Sequence, residues 1–147
     1  MSKKKEHANK RREPSWKHDP DDHDFPAAMD YLALLVGEKE IDEVVDKMKR
    51  ASTEFKHAKD ILRASGLPEL PSSNRHVASD LEKIKANVEL SPILLVRGDA
   101  EAGVPLVIAD GYHRVCAVYS IDENAEVPCR VASFSRDPVT ESRSSKG

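Results

Sequence analysis

The sequence predicts an α+β domain with a small mixed sheet, an N-terminal helical extension and disordered tails. Three observations lead there. Apolar residues recur at helical spacing from Met29 to Val88, short runs of branched residues take over from Pro92, and neither end carries a periodic apolar pattern. The 147 residues suit one compact domain with chain to spare, and 39% hydrophobic against 33% charged residues is more polar than usual for a globular chain.

Residues 1–24 read basic and then acidic, with an isolated Trp16, and are predicted to be disordered. Residues 25–54 form the expected helical extension. There Met29, Leu32, Leu35 and Val36 make a first stripe, Gly37 interrupts, and Ile41, Val44, Val45 and Met48 make a second, as two short helices or one kinked one. The principal domain is expected over 55–134. Phe55, Ala58, Ile61 and Leu62 give a helical stripe stopped by Gly66 and Pro68. A loop runs from Leu67 to Asn74. The next helix carries the capping-box pattern Ser79-Asp80-Leu81-Glu82, with Leu81, Ile84 and Val88 on its inner face. Pro92–Val96 and Val104–Ile108 read as strands of a hairpin, a helix follows Gly111, and Val127–Val131 is a third strand. Residues 135–147 are polar, Ser-rich and broken by Pro138, a second predicted tail.

No stretch approaches the roughly 18 apolar residues of a spanning helix, and no secretory leader pattern opens the chain, so a cytoplasmic, non-membrane protein is expected. Cys116 and Cys129 are the two cysteines and fit neither a disulfide framework nor a zinc spacing. The net charge of -3 provides no global attraction to nucleic acid.

Chemistry concentrates at Asp110-Gly111-Tyr112-His113-Arg114, where an apolar strand turns into a helix and free amides favour an anion. Tyr112, Val115, Cys116 and Tyr119 fall on one helical face, which sends His113 and Arg114 elsewhere. Cationic groups in a first helical turn oppose the macrodipole, and a bound phosphate would explain them. Gly111 would cradle it, Arg114 clamp it, His113 donate to it or move a proton, and Asp110 hold a metal or accept a proton. The plainer alternative is that Asp110 caps the helix, Arg114 pairs with a surface carboxylate and His113 is an ordinary exposed histidine.

The succession of Asp80–Ile84, Leu90–Val96, Val107–Arg114 and Val127–Val131 resembles the ParB N-terminal/sulfiredoxin-like superfamily over residues 55–133. The resemblance implies a ParB/sulfiredoxin-like fold whose Gly-x-His-Arg box binds nucleotide phosphates. Tyr112 stands where sulfiredoxins carry the catalytic cysteine, which argues against sulfinic acid reduction. Chromosome-partitioning ParB proteins resemble Gly-Glu-Arg-Arg at this box and continue into a helix-turn-helix domain, so partition-site binding is not expected here. The Asp-Gly-x-His-Arg form is similar to the stand-alone branch, which implies a nucleotide with Mg²⁺ as cofactor and phosphoryl transfer or nucleotide hydrolysis. Glu69, Glu82 and Glu89 stay open as its general base, and Arg75, in Asn74-Arg75-His76, is a second phosphate contact by the same resemblance. The alternative is a non-enzymatic module that binds DNA or another protein.

Weaker signals have bland readings. The run from His18 to Asp24 has metal-binding residue types but reads more simply as a solvated tail. Lys3–Lys5 and Lys10–Arg12 could touch nucleic acid, although the neighbouring acidic run favours a solubility tail. Lys59 and Asp60 read as a charged solvent face. The Ile41 to Met48 stripe is most simply core, with a homodimer interface as its alternative.

Overall fold

The computed structural model describes residues 13–134. Its architecture is mixed α+β. One sheet has the spatial order β1-β4-β2-β3, where β1 is Glu54–His57, β2 Ile93–Val96, β3 Val107–Asp110 and β4 Glu126–Ala132. β4 runs antiparallel to β1 and parallel to β2, and β2 runs antiparallel to β3 in the hairpin expected from the two apolar runs. Every residue of β2 is buried. A strand covered on both faces needs apolar side chains at each position, which is why Ile93–Val96 does not alternate.

Five helices are described: α1 Asp24–Leu32, α2 Glu38–Arg50, α3 Ala58–Ser65, α4 Arg75–Lys85 and α5 Tyr112–Ile121. Strand periodicity divides the core between them. Ile93 and Leu95 join Val127 and Cys129 against α3, α4 and α5, whereas Leu94 and Val96 join Ala109 and Ala132 against α1 and α2. Helices therefore cover both faces. The pair α1 and α2, separated at Gly37, is half of the fold's packing and not an appended extension: Leu32, Val44 and Met48 are fully buried. The Ile41 to Met48 stripe is core, and no dimer surface is left on it.

Several expected boundaries move. Residues 13–24 are not a disordered tail: Lys17 N–H donates to Leu90 O at 2.8 Å, Leu90 N–H donates to Ser15 O at 2.8 Å, and Trp16 packs against the cluster beneath α3–α5. Asp24 already belongs to α1. Phe55 belongs to the short strand β1 and is 59% exposed, so it does not share the inward stripe of Ala58, Ile61 and Leu62. The helix expected from Ser79 begins a turn earlier, where the Asn74 carboxamide accepts from the N–H groups of His76 and Val77. Asn74 is thus the N-cap, and Ser79 lies inside the helix. Val88 is exposed beyond its end. The stop after α3 is as expected, with Gly66 left-handed at φ 71°. Lys3–Lys5, Lys10–Arg12 and residues 135–147 lie outside the described residues. No helix among the described residues is long and apolar enough to cross a membrane.

Candidate functional site

The β3–α5 junction turns on Gly111, whose φ of 110° is one that L side chains rarely adopt. A Cβ there would lie 2.5 Å from Ile93 Cδ1. The compact pivot drops the chain straight from buried Ala109 into α5, whose first ladder bond is Val115 N–H to Gly111 O at 3.0 Å. No side chain caps α5 and no acidic residue stands in its first turn. The N–H groups that open a helix have no partner within it, so this end carries an uncompensated partial positive charge.

Arg114 turns back beneath the junction. Its Nη1 donates to Ser91 O and Ser91 Oγ at 2.6 Å each, and its Nη2 donates to Asp110 Oδ2 at 2.6 Å. Asp24 Oδ1 is 3.8 Å from the same Nη2, and the side chains of Asp24 and Arg114 are almost wholly buried. These contacts change the expected role of Arg114: the guanidinium is consumed by the protein's own acceptors and braces α1, β3 and the Ser91 segment together, so it is not a free phosphate clamp. Asp110 is pushed up to about 6, first by burial and further by the neighbouring Asp24 carboxyl, against the pull of Arg114.

Beside the junction lies α4. His76, Asp80 and Lys83 follow at i, i+4 and i+7 on one face of it. The His76 and His113 rings are 4.7 Å apart between centroids, and the Tyr112 ring is 5.8 Å from His113. Burial, followed by the nearby His76 and Arg114, lowers the His113 pKa, whereas Asp80 acts to raise it. His113 is accordingly neutral at pH 7 and can donate or accept one hydrogen bond. Burial raises Asp80 despite the cations around it. Tyr112 Oη donates to Pro68 O at 2.6 Å and ties the start of α5 to the loop after α3.

A cleft of about 360 Å³ adjoins Arg114, lined among others by Lys17, Asp24, Asp80, Glu89 and Asp110. Of the three carboxylates left open as a base, Glu89 alone lines this cleft, whereas Glu69 and Glu82 are exposed elsewhere. Arg75 is exposed at the first position of α4, next to His76, and has no ion pair among the described residues. Lys59 and Asp60 pair at 3.1 Å on the surface, the charged solvent face expected.

Asp110 is a poor metal ligand, because a guanidinium 2.6 Å away repels a cation from the same carboxylate. Asp21, His23 and Asp24 bring one ligand atom each within 4.8 Å of one another. Two carboxylate oxygens and an imidazole suit a transition metal better than Mg²⁺, which favours oxygen alone. Hydrogen bonding to Lys17 lowers the Asp21 pKa and already engages one of its oxygens at 2.8 Å. Cys116 is buried, its thiol pushed up by burial, and it accepts from Leu70 N–H at 3.4 Å, the inert packing expected of it.

The site therefore unites Asp110, Gly111, His113 and Arg114 with residues the sequence did not assign to it: Asp24, His76, Asp80 and Ser91. A signal for Asp24 was present. Acidic Asp24, with Pro26 two residues later and Met29 and Leu32 beyond, has the composition of a helix start. Comparison of the chain with family models, with curated proteins and with solved structures finds no match.

Proposed function

We propose that the protein binds a nucleotide or another phosphate-bearing ligand at the N-terminus of α5. The observation that carries this reading is the uncapped, acid-free first turn on Gly111, facing His76 and His113. The resemblance to ParB/sulfiredoxin-like domains supports it by placing phosphates at the same box. Amides of the first turn and His113 would contact the phosphate, with exposed Arg75 in reach of a longer ligand, while Arg114 and Asp110 hold the turn in shape. Phosphoryl transfer or hydrolysis would draw on Mg²⁺ delivered with the nucleotide, because Asp110 is committed to Arg114.

The test is a thermal-shift and calorimetric titration with nucleoside mono-, di- and triphosphates, with and without Mg²⁺, followed by assay of released phosphate. A ligand at about a hundred times its Kd stabilises the fold by about 2.7 kcal/mol. His113→Asp separates site from scaffold. An acid in the first turn favours the helix by about 0.3–1 kcal/mol, yet it repels phosphate. The expected result is an unchanged or higher melting temperature with the ligand shift abolished. Absence of a shift with every nucleotide, or a shift that His113→Asp leaves intact, overturns the reading.

A further inference from the structure

Strand β1 lies at the end of the sheet, with β4 on one side and no strand on the other. Its register against β4 sets Phe55 opposite Pro128. Proline has no N–H, so the ladder bonds are made by the flanking pairs, Glu54 with Cys129 and Lys56 with Val127, as antiparallel alternation requires. The N–H and C=O of Phe55 therefore point to the open edge, and among the described residues neither has a partner. Beside them the Phe55 ring is 59% exposed, which is unusual for so large an apolar side chain on an unprotected edge. A cavity of about 690 Å³ continues the apolar surface past the ring, lined by Trp16 and Pro128 as well as Phe55.

We propose that this edge pairs with β1 of a second copy of the chain, antiparallel about a twofold axis through Phe55. The occupant follows from the strand's own sequence, Glu54-Phe55-Lys56. Twofold pairing at Phe55 sets each Glu54 opposite Lys56 of the second copy. Two cross-strand ion pairs then lie on one face of the ribbon and the two Phe55 rings meet on the other. Phe55 exchanges both backbone bonds with its symmetry mate, and the charged pairs fall at the closer, non-hydrogen-bonded positions. Within one chain Glu54 and Lys56 lie 3.4 Å apart along the strand, so both charges are already on one face for the exchange. The two sheets become one sheet of eight strands. Charge symmetry selects a second copy over an unrelated strand, because no other sequence is guaranteed to present Lys and Glu on either side of an apolar residue.

So short a pairing belongs with the small, readily reversible interfaces. Sedimentation equilibrium of the full chain from about 1 µM to about 1 mM covers the affinities such interfaces have. A monomer–dimer equilibrium within that range is expected. Lys56→Glu sets like charges opposite each other twice and should weaken dimerisation about tenfold or more. The swap Glu54→Lys with Lys56→Glu restores both pairs and should restore the dimer. Phe55→Pro removes the outward N–H while leaving the bonds to β4 in place, and should leave a folded monomer. Circular dichroism melting confirms that each variant folds. A wild-type chain that stays monomeric throughout, or a dimer that Lys56→Glu and Phe55→Pro leave unchanged, overturns the proposal.

Discussion

Replacing Gly111 with alanine puts the strand-to-helix pivot under two separate loads. The first is conformational: a φ of 110° lies beyond the comfortable left-handed region, and an L residue held there costs about 1–3 kcal/mol. The second is steric. The new Cβ would meet Ile93 Cδ1 at 2.5 Å and Cγ2 at 3.1 Å. Ile93 is fully buried in β2, so its side chain has no free volume into which to swing, and overpacking of this kind costs about 1–3 kcal/mol. Together they give about 2–6 kcal/mol, a large part of the stability of an ordinary domain. The two loads separate in a double-mutant cycle. Ile93→Val deletes the offending Cδ1 and alone costs about 0.5–1.5 kcal/mol. In the Gly111→Ala background it relieves the clash, so the double variant should be more stable than additivity requires by about 1 kcal/mol or more. Urea unfolding followed by circular dichroism measures all three variants, with equal m-values confirming a common unfolded reference. Strict additivity, or a Gly111→Ala loss below about 1 kcal/mol, would refute the claim that glycine is required at this turn.

Two further outcomes follow from the same geometry. Asp110 is raised from 3.8 to about 6, so its folded form keeps a proton that the unfolded chain releases earlier. Its contribution to stability is complete below the unfolded value and is lost as pH climbs through about 6; Asp110→Asn should flatten that fall in melting temperature, and an unchanged profile would show that Asp110 is not the titrating group. Arg130 donates to Met48 O, Lys49 O, Thr53 Oγ1 and Asp19 Oδ1, the last at 2.8 Å. Arg130→Met should cost about 1–3 kcal/mol through the carbonyls it strands, and should loosen the segment carrying Trp16, the single tryptophan, with a red-shifted emission. Emission identical to wild type would show that Arg130 does not anchor that segment.

What could be read in the sequence follows physical scale. The apolar run of β2, the stop at Gly66 and the turn at Gly111 are local signals, set by a few adjacent residues, and each is found where it was expected. Strand β3 instead runs from Val107 to Asp110, later than the expected Val104–Ile108, because Val104 is exposed and makes only an isolated bridge to Asp99. β1 was missed because its four residues include only one apolar side chain, and that side chain faces outward. The ordered segment 13–24 was missed for a different reason. Its stability comes from partners far along the chain, Leu90 for its backbone and Arg130 for Asp19, and composition carries no record of such pairings. The same distance effect governs the site. Asp110 and Arg114 are neighbours on one turn and were legible together, whereas Ser91 and Asp24 reach Arg114 only through the tertiary fold.

The position of β4 in the sheet has a temporal meaning. Among the described elements it is synthesised after all the others, yet it is the strand that joins β1 to β2. Until it emerges, the β2–β3 hairpin has no parallel neighbour, β1 has no partner, and neither helical layer has a complete surface to cover. Loop-closure entropy across about 69 residues must be met before β1 and β4 can pair, even at their nearest partners His57 and Glu126. On a nascent chain the two apolar faces therefore stay unfinished until β4 is made, and β4 enters between strands that precede it in the sequence.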